Sequence, residues 1–183
     1  MGFKKLLSSN LFFLVVAILL AFGMYQTLGT ALGTKVPIVS VVSPSMEPEF
    51  YRGDLVIVKD AKIEDLESGD DGSILVFRSK YMPMPIIHRV IDKSGKSVET
   101  KGDSNNNQVK VCVDSGGVKR ADNGCGPGSR LVNVEKNITQ DQILGKAVFV
   151  IPNVGHLKLY PTCLFLKATM PDNHPRVEYT CRN

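Results

Sequence analysis

The chain lacks the patterns that mark a metal protein or a nucleic-acid binder. Its four cysteines, Cys112, Cys125, Cys163 and Cys181, form no C-x-x-C pair. Only three histidines are present, His88, His156 and His174, and none stands at zinc-ligand spacing. A structural metal is therefore not expected. The 22 Lys and Arg against 18 Asp and Glu give a formal net charge of +4, with no basic stripe interleaved with aromatics. Nucleic-acid binding has no support from such scattered charge. There is no internal repeat and no long low-complexity segment.

Charge is also missing from one whole stretch. Leu11 to Met24 reads LFFLVVAILLAFGM, and Lys4 and Lys5 precede it. With its flanks the run approaches the roughly 20 residues that a bilayer-spanning helix needs. Positive charge ahead of a first span predicts a cytoplasmic N-terminus and an exported remainder. A cleaved signal peptide and a buried core helix are the competing readings; the run is long for the first and apolar all round for the second. The expected organisation is residues 1–10 cytoplasmic, 11–30 a transmembrane anchor, and 31–183 one extracytoplasmic β-rich domain, large enough for its own core. In an exported domain an even cysteine count favours disulfides. Pairing of neighbours, Cys112–Cys125 and Cys163–Cys181, is expected, although sequence alone leaves three pairings open. Asn137-Ile138-Thr139 is a glycosylation sequon, meaningful only where exported proteins are glycosylated.

The remainder reads as β. Asp54–Lys59, Ser73–Arg78, Ile86–Ile91, Ser97–Lys101, Val109–Val113 and Ala147–Ile151 are short β-rich runs separated by Gly and Asp turn signals. An all-β barrel or folded sheet is the expected fold. Ile63–Leu66 suggests a single helical turn, and Asn137–Leu144 another, with Thr139 capping ahead of Gln142. Residues 109–132 contain a Gly- and Asp-rich insertion, Ser115–Arg130, which reads as an exposed flexible loop. Cys163–Met170 is apolar but too short to span a bilayer, and suits an interfacial helix or the edge of the core.

Chemistry centres on Ser43-Pro44-Ser45-Met46-Glu47-Pro48. The prolines stiffen the backbone around Ser45 at the end of an apolar strand-like run, Val36–Val42. A serine so held can present its hydroxyl to a cleft, but it needs a base to take its proton. His88 lies in a strand and, by alternation, shares the apolar face of Ile86 and Val90. His156 and His174 read as loop and tail residues. A base in turn needs an orienting acceptor. Asp103, after Gly102 at a strand end, is positioned to supply one, although an ordinary Gly-Asp turn explains it equally well.

Taken in order, these segments resemble a type I signal peptidase of the archaeal and endoplasmic-reticulum branch. Ser43–Pro48 matches an S-x-S-M-x-P box, and Gly53-Asp54-Leu55-Val56 the following G-D-x-V strand. His88-Arg89-Val90 matches the H-R-V box of the branch that uses histidine in place of lysine. Thr100-Lys101-Gly102-Asp103-Ser104-Asn105 matches a T-K-G-D-x-N box. The resemblance implies Ser45 as nucleophile, His88 as general base, and Ser43 with the Ser45 amide as oxyanion donors. Asp103 matches the first acid of its box. The family usually carries a second aspartate about six residues later, and Val109 stands there; Asp114 is the expected substitute. The implied activity is membrane-bound removal of signal peptides after a small-x-small motif, with no cofactor or metal. The partners implied are preproteins, the lipid bilayer and the protein-export channel. A single anchor and a short chain favour a prokaryotic plasma membrane over the endoplasmic reticulum. An inactive membrane-anchored subunit of the same fold, a self-cleaving regulator with a Ser-Lys site, and a secreted β domain without catalysis are the alternatives.

Overall fold

A computed structural model describes residues 3–114, 117–120 and 124–169. Helix α1 (Phe3–Leu32) is followed by strands β1 (Ile38–Ser40), β2 (Leu55–Lys59), β3 (Ile74–Phe77), β4 (Ile86–Ser94) and β5 (Ser97–Lys101). Then come β6 (Lys110–Asp114), β7 (Gly117–Arg120), β8 (Arg130–Asn133), β9 (Ile138–Thr139), β10 (Ile143–Ile151) and helix α2 (His156–Thr169). Single 3-10 turns occupy Ile63–Asp65 and Gln140–Gln142. The second has Thr139 N donating to Gln142 Oε1 at 3.1 Å, the back-bond expected of a capping pair.

Within α1, Asn10–Leu32 is long and apolar enough to cross a membrane, with a mean hydropathy of 2.2. Its large apolar side chains, among them Phe12, Phe13 and Phe22, stand exposed. Water disfavours such a surface and lipid does not. The base of the helix is tied to the β domain. Asp60 N donates to Leu32 O at 2.8 Å, and Thr34 Oγ1 donates to Leu144 O at 2.7 Å.

The fold is mainly β. Seven strands form one curled antiparallel sheet in the order β1-β2-β10-β3-β4-β5-β9, and three form a smaller sheet, β7-β6-β8. β1 and β9 are open edges, so the large sheet is a half-barrel and not a closed one. β10 bridges its two halves, pairing with β3 near its start and with β2 thereafter. The register shifts between Ile143 and Gly145. Gly145 adopts φ 144°, and a Cβ there would come within 2.3 Å of Lys59 O, so this crossing requires glycine.

β3 explains why the sheet is stable. Its residues are buried on both faces: Leu75 and Phe77 join a cluster with Val90, Val98, Val111 and Ile138, while Val76 joins Val41, Met46, Phe50, Val56 and Val58. Each such side chain contributes roughly 1.5–3 kcal/mol by leaving water. Val111 carries the small sheet into the first cluster, and within Ser115–Arg130, expected to be a loop, β7 and the first residue of β8 are strand. Cys112 and Cys125 form a disulfide across it. Closing a loop of that size restricts the unfolded chain by about 3 kcal/mol. Cys163 is also disulfide-bonded, and Cys181, its expected partner, lies outside the described residues. In α2, Leu166 is buried whereas Leu164 and Phe165 are exposed, and Pro161 lies inside the helix.

Candidate active site

Ser45 leaves β1 on a series of tight turns. Glu47 N donates to Pro44 O at 3.1 Å and Phe50 N to Met46 O at 3.0 Å. Met46 and Phe50 are almost fully buried among Val41, Val56 and Val58 and pin the loop from beneath. Asp54, itself buried, accepts from Tyr51 N at 2.8 Å and Asn153 N at 3.0 Å, closing the loop as it enters β2. The flanking backbone is therefore fixed while the Ser45 side chain remains half-buried at a cleft.

His88 comes from the middle of β4, where Ile86, His88 and Val90 are the buried face. Its Nε2 lies 2.9 Å from Ser45 Oγ. Its Nδ1 is bonded to the carboxylate of Glu135. A carboxylate accepts only, so Nδ1 carries the proton and Nε2 is left as the acceptor facing Ser45. The Ser43 hydroxyl lies 3.1 Å from Ser45 Oγ. With the Ser45 proton directed at His88, Ser43 is the donor in that pair.

Glu135 is fully buried. A buried carboxylate is costly unless its oxygens are satisfied. Here Val109 N donates to Oε2, and Thr100 Oγ1 donates to Oε1 at 3.3 Å beside the His88 bond. The backbone is held as firmly. Thr100 N donates to Glu135 O at 3.0 Å, and Glu135 N donates to Asn133 Oδ1 at 3.0 Å.

The turn after β5 clamps the serine loop from the other side. Ser104 N donates to Ser45 O at 3.1 Å, and Ser104 Oγ to Pro44 O at 2.8 Å. Gly102 lies so close that a Cβ would meet Ser45 O at 2.6 Å and His88 Nε2 at 2.9 Å. Asp103 takes the guanidinium fork of Arg89, from Nε at 2.9 Å and Nη2 at 2.7 Å. Arg89 also donates to Gly72 O at 3.0 Å. The hydrogen bond to Asp103 raises the Arg89 pKa further above its ordinary value, against a smaller opposing effect of burial.

Ser43, Ser45 and His88 thus meet as the sequence predicts. The two expected acids lie elsewhere. Both ring nitrogens of His88 are taken, by Ser45 and Glu135. Asp103 is turned to Arg89 because that side chain projects on the other face of β4. Asp114 lies exposed at the end of β6, where Ser129 Oγ donates to it at 3.3 Å. Glu135 went unnoticed because Val134 and Lys136 on either side give it no mark. The one usable signal was the missing acid at residue 109. It is the Val109 amide that now holds the Glu135 carboxylate.

A cleft of about 520 Å³ opens beside Ser45 and His88. Val39, Val42, Met84 and Ile87 make its wall largely apolar. Ser40 also lines it, with its hydroxyl oxygen buried and without a hydrogen-bond partner among the described residues. Among the described residues no group of His, Cys, Asp and Glu is arranged to hold a metal ion.

The family profile described as "Signal peptidase, peptidase S26" matches residues 11–123, more than half of the chain. The "Signal peptidase complex catalytic subunit sec11" of Sclerotinia sclerotiorum is 33% identical over 143 residues, which is 76% of this chain and 72% of that protein. The protein of that name in Dictyostelium discoideum is 33% identical over 144 residues, 73% of this chain and 67% of its own. SEC11 of Pyricularia oryzae is 40% identical over 89 residues, 46% of this chain. The chain spans about half the length of that last relative, 51%. These relatives are eukaryotic, so they give no support to the expected prokaryotic plasma membrane. The extent of the match and the Ser45–His88 pair lying inside it lead to one conclusion: the chain belongs to the signal peptidase family, peptidase S26.

Proposed function

We propose that the protein is a membrane-anchored serine endopeptidase that removes N-terminal signal peptides from exported preproteins. One observation carries the reading: Ser45 Oγ sits 2.9 Å from His88 Nε2, while Nδ1 of the same ring is bonded to a fully buried carboxylate. An inactive subunit of the same fold has no need of that alignment.

Ser45 attacks the scissile carbonyl as His88 removes its proton. Glu135 keeps His88 in the tautomer that accepts at Nε2 and stabilises the imidazolium that forms. Ser43 Oγ and the Ser45 amide are the candidate donors to the oxyanion, where one donor is worth about 3–4 kcal/mol. His88 then protonates the leaving amine. Water enters, His88 removes its proton, and the acyl-enzyme is hydrolysed. Every step uses groups of the chain and water.

The apolar cleft walls close to Ser45 suit small residues before the cut. β1 is a sheet edge and lends Val39 and Ser40 to the cleft, so an extended substrate segment can align beside it. α1, bonded at its base to the sheet, would hold this site near the membrane and confine it with a substrate anchored in the same bilayer. Delivery from an export channel fits that confinement. The relatives' names include "complex", which makes association with further subunits part of the proposal.

The test is cleavage of a model preprotein by the full-length protein in detergent, with Ser45→Ala alongside. Cleavage after a small-x-small site, abolished by Ser45→Ala, is expected. A well-folded wild type that fails to cleave, alone and with membrane extract, would favour the inactive subunit.

A further inference from the structure

The small sheet makes a round trip. The chain leaves the site at Val109, runs out along β6, and returns along β8 to Glu135. Pairing of β6 with β8 sets Lys110 opposite Asn133 and Val111 opposite Val132, so departure and return lie side by side. At the base, Val134 N donates to Val109 O at 3.1 Å and Val109 N donates to the Glu135 carboxylate. Two amides brace the same point. Asn133 Nδ2 donates to Gln108 Oε1 at 2.9 Å, and Gln108 Nε2 donates to Thr100 O at 2.9 Å. Asn133 Oδ1 also receives Glu135 N, so Gln108 and Asn133 link the returning strand to β5 of the large sheet. Cys112, in the middle of β6, is covalently joined to Cys125, which precedes β8.

We infer that this disulfide-stapled sheet, with Gln108 and Asn133 at its base, is the holder that positions Glu135 against His88. The site is thereby coupled to the oxidation of Cys112–Cys125. The inference rests on the proposed peptidase reading. Glu135, just after the insertion, brings a carboxylate to the place where Val109 leaves none. Gln108 and Asn133 are positioning residues, acting only through Glu135. With the staple removed, β6 and β8 keep their ladder but gain freedom. The carboxylate then spends less time in register with the imidazole.

A double-mutant cycle separates positioning from general stability. Full-length protein in detergent is assayed as wild type, as Cys112→Ser with Cys125→Ser, as Asn133→Ala, as Glu135→Gln, and as each of the first two changes combined with Glu135→Gln. The serine pair leaves the Cys163 disulfide intact, which a chemical reductant would not. With Glu135 present, the serine pair and Asn133→Ala are each expected to lower kcat about ten-fold with KM unchanged, within the usual range for coupled neighbours. In the Glu135→Gln background, neither should lower kcat further. Equal losses in both backgrounds, or full kcat in the folded serine-pair and Asn133→Ala variants, would overturn the inference. If the serine pair fails to fold, Asn133→Ala decides alone. A wild type that does not cleave at all speaks against the peptidase reading, and is thus distinguishable from failure of the holder.

Discussion

The seven-stranded and three-stranded sheets each bring part of the active site, and they hold it differently. The large sheet presents Ser45 and His88 from its own backbone, with Met46, Phe50 and Val90 buried directly behind them. The small sheet contributes nothing that reacts. It returns the chain to Glu135, whose position depends on hydrogen bonds from Val109 and Thr100 to its carboxylate and from its own amide to Asn133. The proposed reacting pair is thus set by packing and the proposed orienting acid by a polar network. Packing tolerates conservative change better than a buried polar network, where each unsatisfied group costs the full desolvation penalty.

The comparison can be broken first at the reacting pair. His88→Ala should remove roughly a million-fold from kcat, as loss of the base does in other serine peptidases, with the fold intact by circular dichroism. A loss of only ten-fold would mean that the large sheet does not hold the base. Gly102→Ala tests the clamp on Ser45 and His88 within the large sheet. Its Cβ would press on Ser45 O and His88 Nε2, and displacement of that order costs about a hundred-fold in kcat. Asp103→Asn sharpens the distinction between an orienting acid and a structural one. Loss of the charged fork to Arg89 should lower stability to urea by about 1–3 kcal/mol, while kcat falls far less than in Glu135→Gln. The raised Arg89 pKa fixes the sign of any pH effect. Its contribution is complete below the ordinary arginine value and is lost only as pH rises through the higher folded one, so it is constant through neutral pH. The smallest effect belongs to Ser40→Ala. Removing a buried hydroxyl without a partner among the described residues should stabilise the protein by about 1 kcal/mol, read as a higher Tm.

The same division decides what could be read from the amino-acid sequence. Strand alternation put His88 with Ile86 and Val90, and all three are buried on one face. The prolines around Ser45 announced a fixed turn, and the strand limits of Ser97–Lys101 agree residue for residue. Those signals are local, carried by neighbours in sequence. Glu135 depends on a contact 47 positions away, and Asp103 on the guanidinium 14 positions away. Neither partner is marked by local pattern. Of the small sheet, Val109–Val113 was legible as a strand, whereas β7 and β8 were hidden among Gly and Asp turns. Its disulfide, Cys112–Cys125, was legible too, because pairing of neighbours is the simplest of three arrangements.

The central claim is that Glu135 orients His88. The most direct measurement is the single-turnover cleavage rate of a model preprotein by wild type, Glu135→Gln and Asp114→Asn at saturating substrate. Glu135→Gln should slow cleavage by about ten-thousand-fold, as expected when the tautomer is lost, while Asp114→Asn stays within about two-fold of wild type. Wild-type rates in folded Glu135→Gln, with a large loss in Asp114→Asn, would contradict the account.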